Sequence, residues 1–438
     1  MATAAASDEQ RLTAKGRATR ERIVKAAAEL ILAEGLSAFN LLNVRTAASV
    51  SGSQLSHYFT DKQALLRAVI DRQIEVVLDF HRQPGLHGLE TFDDFERWAD
   101  LNMRYLRRIG YVGTPTYHAL AGQLAKSDAE TRSTLGAGYW KWVELLEQSI
   151  QRMKERRTLS DDADPRHLAL AIVTAHQGGG VLTFTYRQEW PHADAVRYAV
   201  NYLRLFATDP SQRTARRPRR PRGRTTQAAP TDEIRQFTVK GREIRARIVD
   251  AAATLMFDSG VAATSLKKLR DSAAVSGSQL AHYFADKQDL TRQVVAARRG
   301  EVMAFHRQPK LGGLDSLRAL QAWADACVGE IETVYRRGGC IYGSLAGELL
   351  EAGDEVLDEL AAGYDEWVEL FRNGLTAMRK RGELRPDADP RHLAVALVVA
   401  HQGGTMVTFA TGSPEPLRAA VNAAVGYVRS FAPSGRKR

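Results

Sequence analysis

Apolar residues recur every three or four positions along nearly the whole chain, and no run alternates with a period of two. That spacing predicts helices and no strands, an all-α fold. The first predicted helix covers residues 15–34, with Ile23, Ala27, Leu30 and Ile31 inward, and Gly35 stops it. Asn40 stands at the N-cap position of the next helix, which turns Val44 inward and Arg45 outward. Residues 47–50 close that helix. Ser51-Gly52-Ser53 is the expected turn, with Gly52 supplying backbone freedom. Residues 54–59 then form a short helix. Leu55 and Phe59, four apart, face inward and leave Gln54, Ser56, His57 and Tyr58 outward. Asp61 precedes a long helix ending near residues 80–84, with His81 in its last turn, where a cation or a donor suits the free carbonyls. Helical spacing then continues over residues 90–205. Residues 165–186 are strongly apolar, begin with a proline suited to a helix start, and contain Gln177-Gly178-Gly179. Adjacent glycines inside a helix cost stability and are expected where another helix approaches closely.

This pattern occurs twice. Residues 50–63 read VSGSQLSHYFTDKQ and residues 275–288 read VSGSQLAHYFADKQ, differing only at Ser56/Ala281 and Thr60/Ala285. The offset of 225 residues (275 − 50) also relates Trp98 to Trp323, His81 to His306, Asn40 to Ser265 and Gln177-Gly178-Gly179 to Gln402-Gly403-Gly404. A period that long is a domain-sized duplication, not a solenoid repeat.

A short helix entered through a small-residue turn is the second half of a helix-turn-helix, and small polar residues on its outer face suit a major groove. The motif V-S-x-x-x-L-x-x-Y-F-x-x-K-x-x-L resembles the recognition-helix signature of the TetR family of transcriptional regulators. It is carried by Val50, Ser51, Leu55, Tyr58, Phe59, Lys62 and Leu65, and again by Val275, Ser276, Leu280, Tyr283, Phe284, Lys287 and Leu290. The resemblance implies two tandem units, each a DNA-binding head followed by a helical ligand-binding and dimerisation core. It also implies that the last two long helices of each unit pair, through Gln177, Gly178 and Gly179 and through Gln402, Gly403 and Gly404. The expected organisation is a disordered N-terminus (1–14), heads at 15–64 and 236–289, cores at 65–208 and 290–438, and a linker at 209–235 rich in arginine and proline.

Base-reading candidates are Ser53, Gln54, Ser56 and His57 with Ser278, Gln279, Ala281 and His282, since glutamine pairs bidentately with adenine. Arg45 and Arg270 are placed to reach a phosphate. Tyr58, Lys62, Tyr283 and Lys287 match positions where the family contacts phosphates. The resemblance also implies an effector pocket in the cores. Its candidates are Trp98, Tyr111, Tyr117, Trp140 and Phe184, and Trp323, Cys340, Tyr342 and Phe409. The halves diverge most at 103–115, 125–134 and 185–192 and their copies, so two unlike pockets, or one working pocket and one vestigial, are expected. Gly338-Gly339-Cys340 resembles the family pattern more than Gly113-Thr114-Pro115 does, so the resemblance implies an equivalent ligand site for the second half and not for the first.

The net charge of +10 favours an acidic partner such as double-stranded DNA. Two cysteines exclude a disulfide framework and point to the cytoplasm, and no signal peptide or membrane span is expected. No enzyme motif, metal-ligand spacing or cofactor fingerprint is found. A monomer acting as a pseudo-dimer is expected. A homodimer with four heads, and a helical interaction module without operator specificity, stay open as alternatives.

Overall fold

In the computed structural model, residues 12–111, 116–213 and 237–433 are described; Gly113-Thr114-Pro115 and most of the arginine- and proline-rich stretch lie outside them. Among the described residues, each half contributes nine α-helices of six residues or more. The first nine are α1 (Ala14–Glu34), α2 (Leu41–Ala47), α3 (Gly52–Tyr58), α4 (Lys62–Arg82), α5 (Phe92–Arg108), α6 (Tyr117–Leu124), α7 (Ala129–Glu155), α8 (Pro165–Tyr186) and α9 (Trp190–Arg204). Their copies are α10 (Val239–Ser259), α11 (Leu266–Ala273), α12 (Gly277–Tyr283), α13 (Lys287–His306), α14 (Leu317–Gly329), α15 (Gly343–Glu348), α16 (Asp354–Lys380), α17 (Pro390–Thr411) and α18 (Glu415–Arg429). Among the described residues the only β pairing is an isolated bridge between Leu159 and Ala207.

The helix boundaries follow local chemistry. Asn40 and Ser265 cap α2 and α11, accepting from Asn43 N at 2.9 Å and Lys268 N at 3.2 Å. Asp61 and Asp286 cap α4 and α13. Gly35 and Gly260 end α1 and α10 at φ 81° and 87°. The turn inside the helix-turn-helix differs from expectation. Ser51 is the N-cap of α3 and Gly52 already lies within the helix. The left-handed positions are Ser49 and its copy Ala274, both at φ 50°. An added Cβ on Gly277 would lie a tight 3.1 Å from Arg270 Nη1, whereas one on Gly52 would make an ordinary contact with Arg45 Nη1 at 3.9 Å.

His81 ends α4 as a neutral anchor, not as a cation. Its Nδ1 donates to the Val77 carbonyl at 2.7 Å, and Nε2 accepts from the indoles of Trp98 (3.0 Å) and Trp142 (3.1 Å). His306 repeats this with Val302, Trp323 and Trp367. Burial lowers both imidazoles to about 4. Each clamp fixes the long helix leaving a head to two core helices, α5 and α7 or their copies.

The halves join through α8, α9, α17 and α18, a four-helix bundle whose centre is the crossing of α8 and α17. A Cβ on Gly178 would overlap the Val399 carbonyl oxygen, and one on Gly403 the Thr174 carbonyl oxygen, so the two backbones touch. Gly179 and Gly404 face their own last helices, against Ala195 and His192 and against Leu417 and Ala420. Gln177 reaches Met406 Sδ across the interface, whereas Gln402 turns to Cys340 and Tyr364. Arg166 pairs with Glu415 at 2.5 Å and Asn201 Nδ2 donates to Tyr427 Oη at 3.1 Å, both between halves. α8 and α17 are long and apolar enough to cross a membrane, but 94% and 100% of their apolar windows are buried inside the protein.

Gly178→Ala and Gly403→Ala should each lower stability by about 1–3 kcal/mol through overpacking, despite alanine's better helix propensity. Gly300→Ala, with open space at its Cβ within α13, should instead stabilise by up to about 1 kcal/mol; chemical denaturation measures both. A second expectation concerns pH. Because the folded-state values of His81 and His306 lie near 4, the unfolded chain binds more protons than the folded one below about pH 6.5. Stability should fall as pH drops from 6.5 toward 4, by up to about 1.4 kcal/mol per pH unit for each imidazole. Melting curves across that range should be flatter for His81→Gln with His306→Gln.

Candidate nucleic-acid interface and ligand cavity

The outer faces of α3 and α12 are nearly identical. Ser53, Gln54, Ser56 and His57 are exposed, as are Ser278, Gln279, Ala281 and His282, while Leu55 and Leu280 are buried. Gln54 has a structural duty that its sequence position did not reveal. Ser51 N donates to Gln54 Oε1 at 3.0 Å and Gln54 N donates to Ser51 Oγ at 3.1 Å, a reciprocal capping box. Ser276 and Gln279 repeat it at 2.9 and 3.1 Å. Bidentate pairing with adenine uses the amide oxygen, so it draws on the same atom that caps the helix. Ser53 and Ser278 lie 2.9 Å from the capping hydroxyls.

The cationic candidates flank this face. Arg45 and Arg270 are exposed beside the start of α3 and α12. Lys62 Nζ rests 5.3 Å from the centre of the Phe39 ring, and Lys287 Nζ donates to the Val261 carbonyl at 3.2 Å, so both ammonium groups lie against their own heads. Tyr58 and Tyr283 are half-buried. The supporting helices differ: Lys267 and Lys268 in α11 stand where α2 has Leu42 and Asn43. The gain in positive charge is local: Asp271 stands where α2 has Thr46, and Asp250 and Asp289 stand where the first head has Lys25 and Ala64, so the second head as a whole is not the more positive one.

Behind the first head, a cavity of about 210 Å³ opens between α4, α5, α6, α7 and α8. Tyr117 and Phe184 line it; the other first-half candidates do not. Trp98 is taken up by His81, Tyr111 Oη donates to Glu189 at 3.2 Å, and Trp140 is half-buried under Arg166. In the second half Trp323 holds His306, Tyr342 donates to the Leu360 carbonyl, Cys340 accepts from Gln402, and Phe409 lies under Arg132 of the first half.

Sequence reasoning missed the polar wall of the cavity. His118, His176 and His192 converge there, with ring centres 5.6 Å (His118–His176) and 4.4 Å (His176–His192) apart. His176 Nε2 meets Asn102 Oδ1 at 2.9 Å, but both ring nitrogens of His118 and of His192 have no hydrogen-bond partner among the described residues. Burial holds His118 and His192 down at about 3 and His176 well below its usual value, so all three are neutral near pH 7. A signal was present in the repeat: His176 has a histidine copy at 401, whereas His118 and His192 are replaced by Gly343 and Leu417. Among the described residues no group of three or more His, Cys, Asp or Glu side chains is placed to hold a metal ion.

A junction links the cores to both heads. Gly122 of α6 and Gly347 of α15 pack backbone to backbone, with an added Cβ on Gly122 only 2.9 Å from Gly347 Cα. Beside them Glu351 accepts from Leu36 N of the first head at 3.0 Å and from Gln123 Nε2 at 3.0 Å. Glu348 accepts from Val261 N of the second head at 2.6 Å and pairs with Lys126 at 3.0 Å. Glu348 and Lys126 are both buried, and desolvation raises the glutamate above its usual range.

Comparison with known proteins accords with this geometry. The family described as "Bacterial regulatory proteins, tetR family" matches residues 23–69 and again 248–294, the two helix-turn-helix heads. The family described as "Tetracyclin repressor-like, C-terminal domain" matches residues 316–424. The HTH-type transcriptional repressor KstR2 of Rhodococcus jostii (strain RHA1) is 26% identical over 145 residues, covering 33% of this chain and 70% of that protein. Among solved structures, the regulatory protein TetR from Rhodobacter sphaeroides is 20% identical, covers 42% of this chain and 98% of its own, and has a TM-score of 0.39. A TetR transcriptional regulator from Chloroflexus aurantiacus is 24% identical over 44% of this chain and 98% of its own, also with a TM-score of 0.39. With the family's DNA-binding head present twice and its core recognised behind the second, the chain belongs to the TetR family of DNA-binding transcriptional regulators.

Proposed function

We propose that one chain acts as a covalent pseudo-dimer. It binds a near-palindromic operator and releases it when a small-molecule effector enters a helical core. The observation that carries this reading is the pair of matching exposed faces on α3 and α12, held within one polypeptide by the bundle of α8, α9, α17 and α18. A single helix-turn-helix makes a weak contact, and dimers place two recognition helices in successive grooves about 34 Å apart. Joining the heads raises the effective concentration of the second to roughly millimolar. The heads are residues 15–64 and 236–289 and the cores 65–208 and 290–438. A regulator of this kind works in the cytoplasm, where its DNA is.

Ser53, Gln54, Ser56 and His57 and their copies read bases, while Arg45, Tyr58, Lys62 and their copies hold phosphates. Ser56 against Ala281 is the one reading difference, a hydroxyl donor against a methyl suited to thymine. Selection of bound duplexes from a random pool, with light scattering of the complex, tests the whole reading. A near-palindrome bound by one chain is expected. A palindrome bound by two chains keeps the regulator but gives four heads per complex, and no enriched sequence removes operator recognition.

Gln54→Glu with Gln279→Glu separates capping from reading, because a glutamate still closes the capping box but cannot donate to adenine N7. The variant should melt within about 0.5 kcal/mol of the native chain yet lose roughly 1–3 kcal/mol of sequence discrimination per half-site, compared by competition between cognate and scrambled duplexes. Unchanged discrimination would remove these residues as readers. Lys62→Ala with Lys287→Ala should weaken binding to all duplexes alike. The slope of log affinity against log salt should drop by about 0.9 for each phosphate that is no longer neutralised.

A further inference from the structure

We propose that the first-half cavity is the chain's one effector site, that it takes a compact monocyclic acid, and that α6 carries its occupancy to both heads. This rests on the reading of the chain as an effector-responsive regulator and specifies the ligand class and the route.

The size of the ligand follows from the volume. An apolar cavity of about 150 Å³ admits benzene, and drug-sized ligands need roughly 300 Å³ or more. The 210 Å³ here fits one ring with a small substituent. Val77, Phe80, Leu106 and Phe184 supply the apolar wall for the ring.

The substituent follows from the orphaned imidazoles. A neutral imidazole offers one N–H donor and one acceptor nitrogen. Four ring nitrogens of His118 and His192 are buried in this wall without partners among the described residues. Leaving buried polar groups unsatisfied costs about 1–3 kcal/mol each, which an incoming group recovers if it both accepts and donates. A carboxyl group does so, and a ligand carboxylate favours protonation of an imidazole beside it. Arg108 at the cavity edge adds a fixed positive charge.

The second half is built the other way. Gly343 replaces His118, and the space above it is filled by the Gln402 amide, which would overlap an added Cβ. His401 Nε2 is met by Tyr335 Oη at 3.1 Å, Tyr364 Oη donates to Gln402, and Leu417 replaces His192. This network partners its own polar groups and leaves no pair of orphaned imidazoles.

Position gives the route. α6 presents Tyr117 and His118 to the cavity at its first turn. At its other end Gln123 shares Glu351 with the first head, and Lys126, just beyond, shares Glu348 with the second. A ligand that displaces His118 shifts both carboxylate contacts together, because Gly122 and Gly347 lock α6 onto α15.

The test uses the full chain with benzoate, other monocyclic carboxylates, phenol and toluene as probes. Calorimetry and tryptophan fluorescence report binding, with Trp142 lining the cavity. Expected are saturable binding of at least one carboxylate at one per chain, at least tenfold tighter than toluene. Proton uptake on binding should be seen in buffers of different ionisation enthalpy. His192→Leu copies the second half and should fold, yet lose at least tenfold in affinity. Tyr335→Phe in the second half should bind as the native chain does. Glu351→Ala should bind the probe normally but show a weaker effect of the probe on DNA affinity.

No binding by any acid at millimolar concentration, toluene binding equal to the acids, two equivalent sites per chain, or an unaffected His192→Leu variant would each overturn the inference. Specific DNA binding retained alongside no acid binding would sink the inference and leave the operator reading standing. One bound acid per chain with no change in operator affinity would instead sink the effector-responsive reading and the route through α6.

Discussion

The arrangement depends on a backbone contact. At the crossing of α8 and α17, Gly178 lies on the Val399 carbonyl and Gly403 on the Thr174 carbonyl, with no side chain between them. Glycine in a helix interior costs roughly 1 kcal/mol relative to alanine, and both helices carry it at the contact. The return is closeness: two long apolar helices meet along buried faces, and α9 and α18 close over them. Exposed ion pairs such as Arg166–Glu415 sit at the edge of this bundle, where such pairs contribute little. The glycine crossing therefore sets the axis about which the halves are related, and through it the relation of the two heads.

From that axis outward, rigidity is handed on by the histidine clamps. His81 receives two indole donors while donating to its own helix, and His306 does the same. An imidazole in this role must be neutral, since a charged ring has no acceptor nitrogen. Both halves keep the clamp, while the space just beyond it differs. In the first half His118 and His192 leave four ring nitrogens without partners among the described residues. In the second, Tyr335 and Gln402 meet the groups that remain. The clamp is common to both halves, whereas the space behind it is not.

Much of this was legible in the sequence, because capping and periodicity are local. The caps at Asn40, Ser265, Asp61 and Asp286, the prolines opening α8 and α17, and the paired glycines all read directly. Features that depend on tertiary direction did not. Trp140 and Trp142 are two residues apart, about 200° around a helix, and only Trp142 reaches the cavity. The left-handed turn positions are Ser49 and Ala274 and not Gly52, which lies inside α3, a placement that turn propensity does not foresee. The cap made by Gln54 was concealed because the same side chain fits a base-reading role. His118 and His192 stood alone in sequence and gained meaning only when folding brought them beside His176.

A symmetric homodimer repeats every substitution in both subunits, so a residue that improves sensing in one must be tolerated in the other. Fusion removes that constraint. The exposed faces of α3 and α12 differ only at Ser56/Ala281, while His118/Gly343, His192/Leu417 and Gly180/Thr405 separate the cores. Gly180 is itself part of the difference: an added Cβ there would overlap the His118 ring, so its copy can be Thr405 only where no such ring exists. Leu42 and Asn43 against Lys267 and Lys268 extend the asymmetry to the supporting helices. The outer faces of α3 and α12 are thus kept alike while the cores behind them diverge. At the α6–α15 junction both heads meet glutamates of the second half, Glu351 and Glu348, and each of these carboxylates is in turn held by a first-half side chain, Gln123 or Lys126.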